Sequence, residues 1–522
     1  MKKVFLMVCC VGLLFSCGSQ KAETTNPTST VQTTTPLDVS KYGATITSAE
    51  LKEDLYIFAS DEFAGRGTGE EGEKKAVKFL KDHYVALDVP SALPNNNYFQ
   101  EVPLEKSAAP NVTLNVNNKS FTSIEDFVSV TSVQDGTLNT SEVVYAGYGI
   151  EDEAYSSYEN LDVKGKVVLI RSGEPKNTDG NFLITGTSNA SKWSNASQAY
   201  RAKRDAAKEL GAKAVFFYYP EIYTMAAARF GGSSGSFSLR ENNEDMYYFL
   251  INTDLAKTLL PNIETTVDSQ VIDMPIQMTY KSNSTQIVGE NVAAIIKGSE
   301  KPEEIIVISA HLDHEGVKNG EIYNGADDDG SGSVALIQIA KAFKAAQKDG
   351  HGPKRSILFL HVTGEEKGLL GSRYYTDFDP IFPLENTVAN LNIDMIGRVD
   401  PKHEDKNNNY LYLIGADKLS TELHEISEAA NKKYTNIEFD YTYNDDNDPN
   451  RFYYRSDHYN FAKNNIPVIF YFNGTHADYH KPSDTPDKIR YDLLENRTRL
   501  IFYTAWELAN RDQRIVVDKA NE

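Results

Sequence analysis

Unbroken apolar runs, each closed by polar residues or glycine, recur through the second half of the chain. They stand at 305–310 (IIVISA), 356–362 (SILFLHV), 388–394 (VANLNID), 410–415 (YLYLIG) and 466–472 (IPVIFYF). Short runs without polar alternation predict strands buried on both faces. Between them, apolar residues at helical spacing fill 331–346, 419–434 and 493–510. Strand and helix in alternation predict an α/β fold, with a mixed, mostly parallel sheet sandwiched by helices. Upstream, Thr47-Ser48-Ala49-Glu50 reads as a capping box that starts a helix carrying Leu51, Leu55 and Phe58. Between about 126 and 285 the texture changes to shorter strands and loops. The strand candidates there are 142–150 (EVVYAGYGI), 165–173 (GKVVLIRSG), 213–219 (KAVFFYY) and 274–280 (MPIQMTY).

The N-terminus has a different pattern. MKKVFLMVCCVGLLFSC has two lysines and an apolar run from Val4 to Phe15, too short for a permanent membrane span. Leu14-Phe15-Ser16-Cys17 resembles the bacterial lipobox, which implies lipid anchoring through Cys17 and export to the cell envelope. Residues 18–44 are rich in Thr, Ser and Pro and read as a flexible tether. All three cysteines (Cys9, Cys10, Cys17) lie in the signal. Any metal site in the rest of the chain therefore uses histidine and carboxylate, not thiolate. The net charge of -21 over 522 residues repels phosphate backbones and excludes nucleic acid as a natural partner.

Gly67-Thr68-Gly69-Glu70-Glu71-Gly72 matches the GxGxxG spacing of a dinucleotide loop. The preceding SDEFAGR is not a buried strand, and the glutamates would repel pyrophosphate, so it reads as a loop entering a helix. The chemistry lies at the ends of the buried strands, where open α/β sheets build their sites. His311 and Asp313 follow the first run, and Asp327, Asp328 and Asp329 follow a short loop. Glu365 and Glu366 follow the second run, Asp394 ends the third, and His476, Asp478 and His480 follow the last. Histidine with carboxylate suits a hydrolytic zinc site. Two histidines and three or more carboxylates exceed one tetrahedral ion with an open position, whereas two ions bridged by a carboxylate would use them all.

HLD, GADDDGSG, GEEKGLLGS, NIDMIGR and YHKPSDT, in this order, resemble the co-catalytic dizinc aminopeptidase family, which also includes glutamate carboxypeptidase and transferrin-receptor ectodomains. The similarity covers about 286–512 and the helices near 47–90. YAGYGI, YENLDVKGKVVLI and AAKELGAKAVFFY resemble the protease-associated domain inserted in several secreted peptidases. The expected organisation is thus a signal at 1–17, a tether at 18–44, the start of the catalytic domain at 45–125, a β-rich protease-associated domain at 126–285 and the remaining catalytic domain at 286–515.

The family resemblance implies two Zn²⁺ per chain. Asp328 would bridge them, His311 and Asp394 would complete one, and Glu366 and His480 the other. It also implies a cis peptide at Asp328-Asp329. Glu365 would be the general base, and Asp313 would hold the His311 ring. Tyr453 or its neighbour Tyr454 would donate to the oxyanion. The implied substrate is a peptide with a free N-terminus. A carboxypeptidase, a glutaminyl cyclase and a non-catalytic binding ectodomain are the alternatives on the same scaffold. Nothing in the chain fixes its oligomeric state.

Overall fold

A computed structural model describes residues 37–131, 133–195, 198–232, 235–240 and 246–519. The signal with Cys17 and most of the tether lie outside these residues. No helix among the described residues is long and apolar enough to cross a membrane.

The apolar runs form the core of one mixed sheet. Its order is Glu438–Asp440, Tyr410–Ile414, Val468–Phe472, Thr387–Ile393, Lys301–His311, Arg355–Val362, Gln270–Ile296, Gly136–Tyr145, Val167–Arg171, Ala214–Tyr218, Tyr247–Ile251 and Phe127–Ser129. Two blocks of parallel strands lie side by side in it. In the first, Val468–Phe472, Thr387–Ile393, Lys301–His311 and Arg355–Val362 run parallel, so their carboxyl ends share one rim. In the second, Gly136–Tyr145, Val167–Arg171, Ala214–Tyr218 and Tyr247–Ile251 run parallel.

Each block is covered on both faces, as its uninterrupted apolar strands require. In the first, Ile305, Val307, Leu358 and Leu360 pack with Tyr375 and Phe461. The alternate residues face the other way, where Tyr84 of helix Glu71–Ala86 meets Phe359. Helix Ser48–Phe58 starts at the expected capping box, with the Thr47 side chain accepting from Glu50 N. In the second block, Val143, Leu169, Phe216 and Phe249 build one core, while Val144, Val168, Phe217 and Tyr248 build the opposite one.

Gln270–Ile296 joins the blocks. Its start pairs with Gly136–Tyr145, and its end pairs with Arg355–Val362. Along its middle it pairs antiparallel with Phe99–Val116, from Val116↔Ile276 to Phe99↔Val292. The boundary expected at 285–286 thus falls inside a continuous strand, and Ser40–Glu522 cluster as one unit. Phe99–Val116 is not visible as a strand in the sequence because Pro103 and Pro110 interrupt it. The register shifts between Ala108 and Asn111, which accommodates Pro110 in the ladder.

Candidate metal centre

The rim of the first block gathers the five expected ligands. Lys301–His311 ends on His311, Thr387–Ile393 stops one residue before Asp394, and Glu366 follows Arg355–Val362. Asp328 faces both sides of the cluster: Oδ1 is 3.2 Å from His311 Nε2, and Oδ2 is 3.1 Å from His480 Nε2. Asp394 Oδ1 lies 3.6 Å from the same His311 nitrogen, and Glu366 Oε2 lies 3.3 Å from His480 Nε2. Two ligand groups therefore share Asp328: His311, Asp328 and Asp394 on one side, and Asp328 and Glu366 with histidine on the other. His311 Nε2, Asp328 Oδ2 and Glu366 Oε1 are buried without hydrogen-bond partners. Burying such atoms unpaired costs about 1–3 kcal/mol each, more for charges. Divalent metal bound there would satisfy them, so the residues present fit zinc.

The three consecutive aspartates divide the work. Asp328 turns both oxygens to the histidines. Asp329 accepts from Gly332 N at 2.9 Å, Met395 N at 3.1 Å and His311 N at 3.2 Å, tying three segments together. Asp327 accepts from Gly397 N at 2.6 Å and faces His476 Nε2 at 3.2 Å. Asp484 Oδ2 accepts from both Asp327 N and Asp328 N, which fixes the turn itself. The Asp328-Asp329 peptide is cis. Gly325, at φ 55°, begins the turn, and a Cβ there would lie 2.3 Å from Asp328 O and 2.5 Å from the His314 ring.

The electrostatics follow from burial. Burial pushes the Asp328 carboxyl up, but the imidazoles of His311, His314 and His480 outweigh it and hold the group well below the ordinary range. Burial drives Asp329 well above that range. Burial does the same to Glu365; His311 opposes it, and Glu366, Asp394 and Asp457 reinforce it. Burial lowers the His480 ring, yet Asp328 and Glu366 bring it to about 9.

Glu365 lines the same small cleft as Asp328, Asp394 and His480. Its backbone N donates to Asp313 Oδ1 at 3.1 Å, while Asp313 Oδ2 accepts from Thr68 Oγ1 at 2.6 Å. The Asp313 backbone carbonyl, not its carboxylate, meets His311 Nδ1 at 3.0 Å; the carboxylate is 3.9 Å away. Asp313 thus holds the ring through its main chain and braces Glu365 through its side chain.

The structure does not bring Tyr453 to the cluster. Its ring packs against His458 and Tyr459 and lines a different surface cavity with Lys418, Asp445 and Tyr454. Tyr453 is half-buried against the core and Tyr454 is exposed, while Ser456 points inward, where its Oγ donates to Asp394 Oδ2 at 2.7 Å. The aromatic and cationic lining of the cleft is instead Phe452, Phe470, Phe472, Tyr479 and Arg455, with the Tyr479 ring stacked on His480 at 3.9 Å. Position beside the motif histidine is the one sequence signal that points to Tyr479. His361 is a core histidine, held by Tyr84 Oη at 2.7 Å and lowered by burial to about 3. His476 and Asp478 support the site from behind, on Asp327 and on Arg398.

The former dinucleotide-loop candidate leads into helix Glu71–Ala86, and the segment supplies two supports. The buried Arg66 guanidinium donates to the carbonyls of Leu312 (2.9 Å), Asn324 (2.7 Å), Gly325 (2.8 Å) and Phe58 (3.2 Å). Glu73 accepts from Thr363 Oγ1 and Gly69 N, and burial raises it to about 8.

Residues 291–505 match the model of Peptidase family M28, a span that contains every ligand just described. This chain carries a Peptidase family M28 domain. A probable leucine aminopeptidase from Trichophyton verrucosum (strain HKI 0517) is 31% identical over 230 residues, 42% of this chain and 57% of the relative. Aminopeptidase YwaD from Bacillus subtilis (strain 168) is 23% identical over 384 residues, 72% of this chain and 68% of the relative. A probable glutamate carboxypeptidase from Arthroderma benhamiae (strain ATCC MYA-4681 / CBS 112371) is 37% identical over 105 residues, 20% of this chain and 14% of the relative. The chain therefore spans little more than half of the first of these relatives and a small part of the third.

Proposed function

We propose that the chain is a two-zinc exopeptidase that removes N-terminal residues from peptides. The observation that carries this reading is Asp328, whose two oxygens are divided between His311 and His480 at 3.2 and 3.1 Å. His311 and Asp394 would hold one ion, and Glu366 and His480 the other. The donor set of imidazole and carboxylate suits zinc. Bound there, the ions would polarise the scissile carbonyl and acidify the attacking water. Glu365 takes the proton from that water and returns it to the leaving nitrogen. Burial, reinforced by Glu366, Asp394 and Asp457, raises its carboxyl above the ordinary range and so favours proton uptake. Asp313 and Thr68 hold Glu365 in place, and Tyr479 closes the cleft beside His480.

A carboxypeptidase is the second reading, favoured by Arg455. This exposed guanidinium lines the same cleft and would meet a substrate carboxylate in bidentate fashion. The lobe from 126 to 285 serves as an inserted protease-associated domain. The chain is anchored through Cys17 at the cell envelope and meets peptides, not nucleic acid.

The test is hydrolysis of aminoacyl-anilides and short peptides, each with free and N-acetylated amines, with and without zinc and chelator. Cleavage that needs the free amine and dies with chelator establishes the aminopeptidase. Cleavage of N-acetylated peptides from the C-terminus moves the assignment to the carboxypeptidase. No cleavage by protein that holds no metal supports the binding ectodomain.

A further inference from the structure

His314 stands three residues after His311, and nothing so far gives it work. Its ring is fully buried, and neither Nδ1 nor Nε2 has a hydrogen-bond partner. An imidazole ordinarily finds a partner for at least one ring nitrogen when buried. Nδ1 lies 2.7 Å from Glu366 Oε1 and 3.8 Å from Asp328 Oδ2. Glu366 Oε1 is itself without a hydrogen-bond partner, so the close approach does not follow the ring's N–H direction. Two donor atoms side by side, neither aimed at the other, are disposed as ligands of a shared cation.

The neighbouring groups agree. The two carboxylates that His314 faces are the two that His480 faces, and the two rings meet edge to face with centroids 5.8 Å apart. His314, Asp328 and Glu366 offer atoms that all lie within 4.8 Å of one another. Gly325 leaves room for the ring, since a Cβ there would come within 2.5 Å of it.

We propose that His314 Nδ1 is a ligand of the ion held by Glu366, His480 and Asp328 Oδ2. The inference rests on the two-metal reading and extends it. The centre is then unequal: two imidazoles on the Glu366 side, and His311 alone on the Asp394 side. Nitrogen donors strengthen the hold on late divalent metals. The ion beside Asp394 leaves first under a chelator, and the one beside His314 leaves last.

The test is X-ray absorption of the zinc-loaded protein together with metal content during graded chelation. Wild type should show three imidazoles over two ions, and His314→Ala should show two. In the variant the last ion to leave should be lost at least about 100-fold more readily, beyond the effect of a residue that merely orients a ligand. His314→Asn repeats the measurement with a smaller change of volume, and thermal unfolding in chelator shows that each variant folds. Wild-type protein with two ions and only two imidazoles overturns the inference, with no variant needed. Variants that keep the wild-type imidazole count overturn it as well. Wild-type protein that holds fewer than two ions overturns the two-metal reading and this inference together.

Discussion

The two parallel blocks of the sheet have the same architecture and opposite chemistry. In the block from Gly136 to Ile251, the buried charges are spent on the fold. Lys203 Nζ donates to the carbonyls of Tyr148, Gly173 and Arg171 at 2.7, 2.8 and 3.2 Å, and Arg171 donates to those of Glu264 and Ile263. The buried atoms left unpartnered there, among the described residues, are the hydroxyls of Tyr158 and Ser194. At the rim of the block that ends on His311, the unpartnered atoms include imidazole nitrogens of His311 and His314 and carboxylate oxygens of Asp327, Asp328 and Glu366. Parallel strands feeding a rim are common to both, so topology does not make the site. Groups whose burial is uncompensated by the protein itself mark it.

That contrast is open to direct attack. Asp328→Asn should have the largest effect: both ions weaken, metal content drops below one per chain, and kcat/KM falls by about 10⁴-fold or more. Retention of two ions would remove the bridge from the argument. Glu365→Gln should keep both ions and lose about 10³-fold in kcat, separating the base from the ligands. In the other block, Lys203→Met strands three carbonyls and should destabilise the protein by about 3 kcal/mol, measured by denaturant unfolding, with metal content unchanged. Loss of metal in that variant would mean that the two blocks are energetically one.

The smallest effect is a slope. Burial raises Glu73 to about 8, so the folded chain keeps a proton that the unfolded chain gives up above its ordinary value of 4.5. The unfolded state then binds fewer protons, and this group's stabilisation, complete below 4.5, is lost as pH rises toward 8. Between pH 6 and 7 the loss is about 1.4 kcal/mol at most. Glu73→Gln should flatten the fall of the thermal midpoint over that range.

Much of this was legible in the chain. Buried parallel strands announce themselves as unbroken apolar runs, and all five such runs became strands of the sheet. The ligands were legible because each follows its strand within a few residues, so one-dimensional order maps onto one rim. Tyr453 misled because Tyr453 and Tyr454 are adjacent, and neither composition nor spacing tells which way a short helical turn points its rings. His314 was legible as a neighbour of His311 but not as a member of the cluster. Its ring direction depends on the left-handed turn at Gly325, which belongs to a different segment. Arg66 and Glu73 were hidden for a related reason: their partners lie about 250 to 290 positions away.

Arg66 has a further consequence for how the protein can be cut. The family match begins at residue 291, yet the cation that gathers the Leu312, Asn324 and Gly325 carbonyls comes from residue 66. A piece trimmed to the limits of the match would contain every ligand and lack the clasp that holds their loops closed. The half that matches the family is therefore not a detachable module: the chain leaves it after the first helices, builds a second lobe, and returns to a frame that those helices have already begun.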